Sequence, residues 1–73
     1  MNIVQLKQEL ENLGVPRRVY SLNGWKDERL CLELRDNKWS IFFVERGEER
    51  DLKQFSSEAQ ACDYMLGELR YEI

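Results

Sequence analysis

The spacing of apolar residues changes period at Gly14-Val15-Pro16, and no other feature of the chain constrains its fold as strongly. Before that point Ile3, Leu6, Leu10 and Leu13 recur at intervals of three and four, which draws one apolar stripe on a helix over residues 2–13. Asn2 is placed to cap its first turn, with Gln5 completing a capping box. Gly14 supplies the left-handed residue that ends the helix, Leu10 can meet Val15 across the terminus, and Pro16 prevents a restart.

Beyond Pro16 the period is two. Val19 to Leu22 is a short β-type run closed by the turn dipeptide Asn23-Gly24. Residues 29–35 alternate, with Leu30, Leu32 and Leu34 on one face and Cys31, Glu33 and Arg35 on the other. Asp36-Asn37 makes a very short turn into residues 38–45, where Trp39, Ile41 and Phe43 oppose Ser40, Phe42 and Val44. Both faces of that second arm are apolar, as in a central strand or one whose outer face is covered. Gly47 opens a further turn, and residues 50–55 form a fourth strand only if Leu52 and Phe55, which interrupt the alternation, are accommodated. A second helix follows from Ser57, with Gln60 at capping-box spacing and Glu58 at the positive end of the dipole. Cys62, Met65, Leu66 and Leu69 carry its stripe.

The expected fold class is therefore α+β, a single domain over residues 1–73. Its order is helix, three or four antiparallel strands, helix, with both helices on one face of the sheet. At 73 residues, a second domain has no room and the stability margin is only a few kcal/mol, roughly the reach of one small core. The longest apolar stretch, Ile41-Phe42-Phe43-Val44, is too short to cross a bilayer, and the first residues lack the features of a signal peptide. A soluble cytoplasmic module is expected. Two cysteines make no disulfide scaffold, and two free thiols are expected: Cys62 as a small core residue, Cys31 partly exposed on the other sheet face.

The chemistry on offer points away from catalysis. With no histidine, the usual general base near neutral pH and the commonest metal ligand are both missing. The four glycines are isolated, so no phosphate-cradling loop is present. Adjacent carboxylates such as Asp27-Glu28 and Glu48-Glu49 diverge on an extended chain, and solvated charge is their plain reading. The expectation is a protein that is not an enzyme and uses no cofactor and no metal. The formal net charge of −3 argues against nucleic acid and fits a basic protein partner. Trp25, in the polar stretch Gly24-Trp25-Lys26-Asp27-Glu28-Arg29, either folds over the core edge or stands out as an anchor for a partner. Phe42 poses the same choice, its plain reading being cover from a long neighbour such as Arg35.

Three segments resemble the small immunity proteins of bacterial polymorphic toxin and contact-dependent growth inhibition systems. They are Gly14-Val15-Pro16 with Tyr20-Ser21-Leu22-Asn23-Gly24, then Trp39-Ser40-Ile41-Phe42-Phe43-Val44-Glu45-Arg46-Gly47, and Phe55-Ser56-Ser57-Glu58-Ala59-Gln60-Ala61-Cys62-Asp63-Tyr64. The chain departs from that pattern in carrying Phe42-Phe43 where tyrosines are usual. The resemblance implies a cytoplasmic protein that binds one cognate toxin domain and neutralises it, without saying which toxin activity; a nuclease, with a basic substrate cleft, would complement the acidic charge. On this reading Trp25 and Phe42 are apolar anchors, while Asp27, Glu28, Glu33, Glu45, Glu48, Glu49 and Asp51 meet basic groups on the toxin. Two other readings stay open. The element order is also that of a double-stranded-RNA-binding module, although Glu58 stands where a phosphate would approach. A dimerising regulatory or adaptor protein, self-associating through the Phe42 face, is the other.

Overall fold

The computed structural model describes residues 1–72. It shows an α+β fold. Helix α1 (Ile3–Leu13) is followed by a single 3₁₀ turn at Arg17–Val19 and by strands β1 (Tyr20–Ser21), β2 (Leu30–Arg35), β3 (Lys38–Glu45) and β4 (Glu48–Phe55). Helix α2 (Glu58–Leu69) closes the fold, running into a 3₁₀ turn at Arg70–Glu72. The strands form one sheet in the order β1-β2-β3-β4. Among the described residues no helix is long and apolar enough to cross a membrane.

Both helix starts carry a side-chain cap at the expected residue, α1 as a full capping box and α2 through the Ser57 hydroxyl alone. The Asn2 side chain accepts from the Gln5 amide at 2.8 Å, and the Gln5 side chain accepts from the Asn2 amide at 2.8 Å. This reciprocal pair satisfies two donors that α1 itself cannot. Gly14 ends the helix at φ 77°, and the Val15 amide donates to the Leu10 carbonyl at 3.0 Å. Ser57 caps α2, its hydroxyl accepting from the Gln60 amide at 3.1 Å. The two helix starts are joined, because the Ile3 amide at the head of α1 donates to the Glu58 carboxylate at 2.9 Å.

Two separate cores lie on the two faces of the sheet. On the helix side, Leu6 and Leu10 of α1 and Cys62, Met65 and Leu69 of α2 pack with Leu32 and Ile41. Phe55 stacks on Tyr64 with ring centroids 5.3 Å apart, tying β4 to α2. On the opposite side Cys31, Phe42 and Val44 form a small buried cluster. The alternation therefore sorts the side chains onto the expected faces. Leu34 departs from the expected core: beside the Asp36–Asn37 turn, at the end of the hairpin, it is 53% exposed.

The sheet is mixed. β2 with β3 and β3 with β4 are antiparallel, whereas β1 runs parallel to β2 through Tyr20–Leu30 and Ser21–Cys31. The expectation that all strands are antiparallel is corrected here, and the cause is the path of residues 22–29. Asn23-Gly24 does not reverse the chain beside β2. The Gly24 amide donates to the Leu32 carbonyl at 3.2 Å, still following the parallel course. The chain then crosses the outer face, where the Lys26 amide lies 3.4 Å from the Cys31 sulfur and the Cys31 thiol donates to the Lys26 carbonyl at 3.3 Å. Cys31 is thus fully buried rather than partly exposed, and both cysteines are free thiols.

β4 is a full strand that starts earlier than its alternation indicates. The register slips between Ile41–Lys53 and Phe43–Arg50, so that Asp51 and Leu52 share the space opposite Phe42. Asp51 takes φ 57°, the left-handed conformation that lets a strand carry an extra residue. This bulge is what interrupts the pattern around Leu52.

Candidate functional site

The turn between β3 and β4 is the point on which the acidic residues converge. Arg46 and Gly47 make a two-residue loop with φ 52° and 79°, the mirror-image turn that suits a right-twisted hairpin. Glu45 and Glu48 face each other across its mouth, and Glu49 pairs with Val44 one step further in. The segment crossing the outer face arrives at the same place. The Asp27 carboxylate accepts from the Gly47 amide at 3.0 Å, and the Glu28 carboxylate accepts from the Arg46 amide at 3.2 Å. Glu28 itself sits at φ 61°, so a strained residue is held in place to make this contact. Residues far apart in sequence, Asp27 and Glu28 with Glu45 and Glu48, are thereby gathered at one end of the sheet.

Arg35, opposite Lys38 at the β2–β3 turn, organises the outer face. Its guanidinium forms ion pairs with Glu33 and with Glu49, the latter through two bonds of 2.9 and 2.5 Å, and lies 4.2 Å above the Phe42 ring. The Arg35 hydrogen bond holds the Glu49 carboxyl below the usual carboxylate range, opposed by its partial burial, with the Arg35 charge and the Trp25 side chain adding to the lowering. Bonds to Glu49 and Glu33 raise the Arg35 guanidinium above its ordinary value. Ser40, buried on the same face, accepts from the Gln54 amide group at 3.2 Å.

Phe42 is corrected by this geometry. Under Arg35 and packed with Cys31 and Val44 it is completely buried, so it offers no surface to a partner and belongs to the outer cluster. Trp25 remains available, with 44% of its surface exposed. Glu33 and Glu49 are brought together, but by Arg35, a residue whose covering role is legible in the alternation and whose role as a tie between two carboxylates is not. Glu45 is paired with Arg50 at 3.0 Å, and Glu48 is exposed.

Asp51 points elsewhere. With Glu28 and Glu68 it borders a cleft of about 450 Å³ on the helix side, whose floor is Leu30, Ile41 and Phe43. Tyr64 lines the same cleft, and its hydrogen bond to Glu68, followed by burial and the charges of Glu68 and Asp51, pushes its hydroxyl up, so the phenol stays protonated. An apolar floor rimmed by carboxylates suits the stem and head of a lysine or arginine side chain. Among the described residues, no group of three His, Cys, Asp or Glu side chains is placed to hold a metal ion. Compared with family models, curated proteins and solved structures, the chain matches none.

Proposed function

We propose that this protein is an immunity-type inhibitor that binds a cognate bacterial toxin domain with a basic surface and neutralises it by protein–protein contact. The observation that carries this reading is the convergence of Asp27, Glu28, Glu45 and Glu48 around the Arg46–Gly47 turn, flanked by exposed Trp25 and by the carboxylate-rimmed cleft. Carboxylates fixed in place speed encounter with a basic partner and select its orientation, while an aromatic side chain supplies buried contact area. A basic side chain of the toxin would enter the cleft beside Asp51.

The other two readings draw less from the same geometry. At the start of α2, Glu58 is engaged by the Ile3 amide and leaves an acid where duplex RNA would present phosphate. β4, the outer strand, carries a bulge and mostly charged side chains, features that oppose pairing of two sheet edges.

The test is production of the chain in cells together with the C-terminal domain of the protein encoded beside it. Rescue of growth and co-elution of the two proteins is the expected result, and death of cells that contain soluble chain would overturn the proposal. Glu48→Lys should weaken capture without lowering the melting temperature, because Glu48 is solvated at the turn. Glu49 and Asp51 are unsuitable for that purpose, since one holds Arg35 and the other occupies the bulge.

A further inference from the structure

A groove between α1 and β1 has the opposite charge to the rest of the molecule. Its volume is about 680 Å³, and the charged side chains lining it, Lys7, Arg17, Lys26 and Arg29, are all cations. They gather in a chain whose formal net charge is −3. The acids nearest in sequence are turned away, because Asp27 and Glu28 are held by the Gly47 and Arg46 amides. Glu11 bonds Arg17 at 2.9 Å, and the Arg29 guanidinium donates to the carbonyls of Arg17 and Tyr20 at 3.3 and 3.4 Å. Two of the four charges are thus fixed in position on the groove wall. Between them the surface is apolar: Val4 is 77% exposed on α1, and Leu22 is half-buried at the edge of the core.

We propose that this groove docks an extended segment of a protein partner in which acidic and aliphatic residues alternate. Carboxylates of the segment meet the lysines and arginines, and its aliphatic side chains cover Val4 and Leu22. The charge complementarity fixes the sign of the partner, and the apolar patch between the cations fixes its aliphatic component. β1 is the outer strand at this edge and borders the groove, so an extended chain can lie alongside it. Nucleic acid fits less well. A phosphate backbone gains nothing from Val4 and Leu22, and single strands need exposed aromatic platforms, whereas Tyr20 here is only 6% exposed. The groove and the acidic turn share the segment from Lys26 to Arg29, but the peptide titration reads the groove without the toxin, so failure of this proposal and failure of the toxin-binding reading are distinguishable.

The experiment is a titration of isotopically labelled full-length protein, followed by amide chemical shifts. The probe is a synthetic peptide alternating glutamate and leucine, compared with the same peptide carrying lysine for glutamate and with a short RNA duplex. Saturable shifts confined to the amides of residues 3–7, 17–23 and 26–29 are expected with the acidic peptide alone. Raising the salt concentration should weaken them. The double variant Lys7→Glu and Lys26→Glu, at exposed positions, should raise Kd by about tenfold with an unchanged melting temperature. Absence of saturable shifts, an equal response to the lysine peptide, or tighter saturation of the same amides by RNA would each overturn the proposal.

Discussion

Removing the Arg35 side chain decides whether the outer face of the sheet is a second core or a solvated surface. Three losses follow from Arg35→Ala. The ion pairs with Glu33 and Glu49 go first; with all three side chains about two-thirds shielded and one contact bidentate, they contribute about 1 kcal/mol, the upper end for surface pairs. The guanidinium over the Phe42 ring adds about 0.5–1 kcal/mol. Finally, Phe42 loses its lid. If a third of a phenylalanine's buried area of roughly 200 Å² returns to water, the cost is about 1.5 kcal/mol. The sum is about 3 kcal/mol, a large share of what a domain this small has. Arg35→Met keeps the lid and loses only the charged contacts, so it should cost about 1.5–2 kcal/mol.

Denaturant titrations of the protein and the two variants measure the difference directly. Coincident midpoints for Arg35→Ala and Arg35→Met would refute the idea that Phe42 depends on this cover. The pH dependence gives an independent reading. The Glu49 carboxyl is held below its unfolded value, chiefly by Arg35. Its contribution is therefore complete above the ordinary carboxylate pKa of about 4.3 and is lost as pH falls through the lower folded value. Stability of Glu49→Gln should show less acid sensitivity across that window than the parent protein.

Leu32→Ala should lose about 2–5 kcal/mol, because Leu32 is fully buried between the sheet and both helices; thermal melting would show the domain partly unfolded at ambient temperature. Arg46→Asn should gain about 0.5–1 kcal/mol, since Arg46 occupies a left-handed position that asparagine adopts more readily before glycine, and a raised melting temperature is the check. Cys31 and Cys62 should resist alkylation until denaturant opens the fold, as burial pushes both thiols up; mass spectrometry that finds either labelled at once in native buffer would contradict this.

Local signals were legible in the sequence, and signals set by distant chain paths were not. The capping hydrogen bonds of Asn2, Gln5, Gly14 and Val15 stay within α1 and its ends, so the first helix could be bounded to within a residue. Asp36 and Asn37 both take positive φ, and the alternation on either side then fixes the β2–β3 register and the two faces. β1 was different. A two-residue parallel pairing leaves no pattern of its own, and its direction depends on residues 22–29 crossing the outer face. β4 was blurred by its bulge, which shifts the apparent faces at Asp51 and Leu52. The acidic residues were legible by type alone. Their meeting at Gly47 required knowing that the Asp27–Glu28 segment crosses the sheet.

That crossing also divides the candidate carboxylates by what each has left to give. Glu33 and Glu49 already hold Arg35, and Arg35 covers Phe42, so a partner that drew either acid away would loosen the outer cluster. Glu45 shares its charge with Arg50. Asp27 and Glu28 each accept a turn amide through one of their two oxygens, and both residues are exposed. A cation can add to the other oxygen without displacing the amide, so the geometry that supports the turn also prepares the acids for binding. On the proposed reading the toxin-facing charges are therefore Asp27, Glu28 and Glu48 at the turn and Asp51 at the cleft, with Trp25 as the apolar contact. Glu33 and Glu49, tied to Arg35, keep the outer face in the shape that presents them.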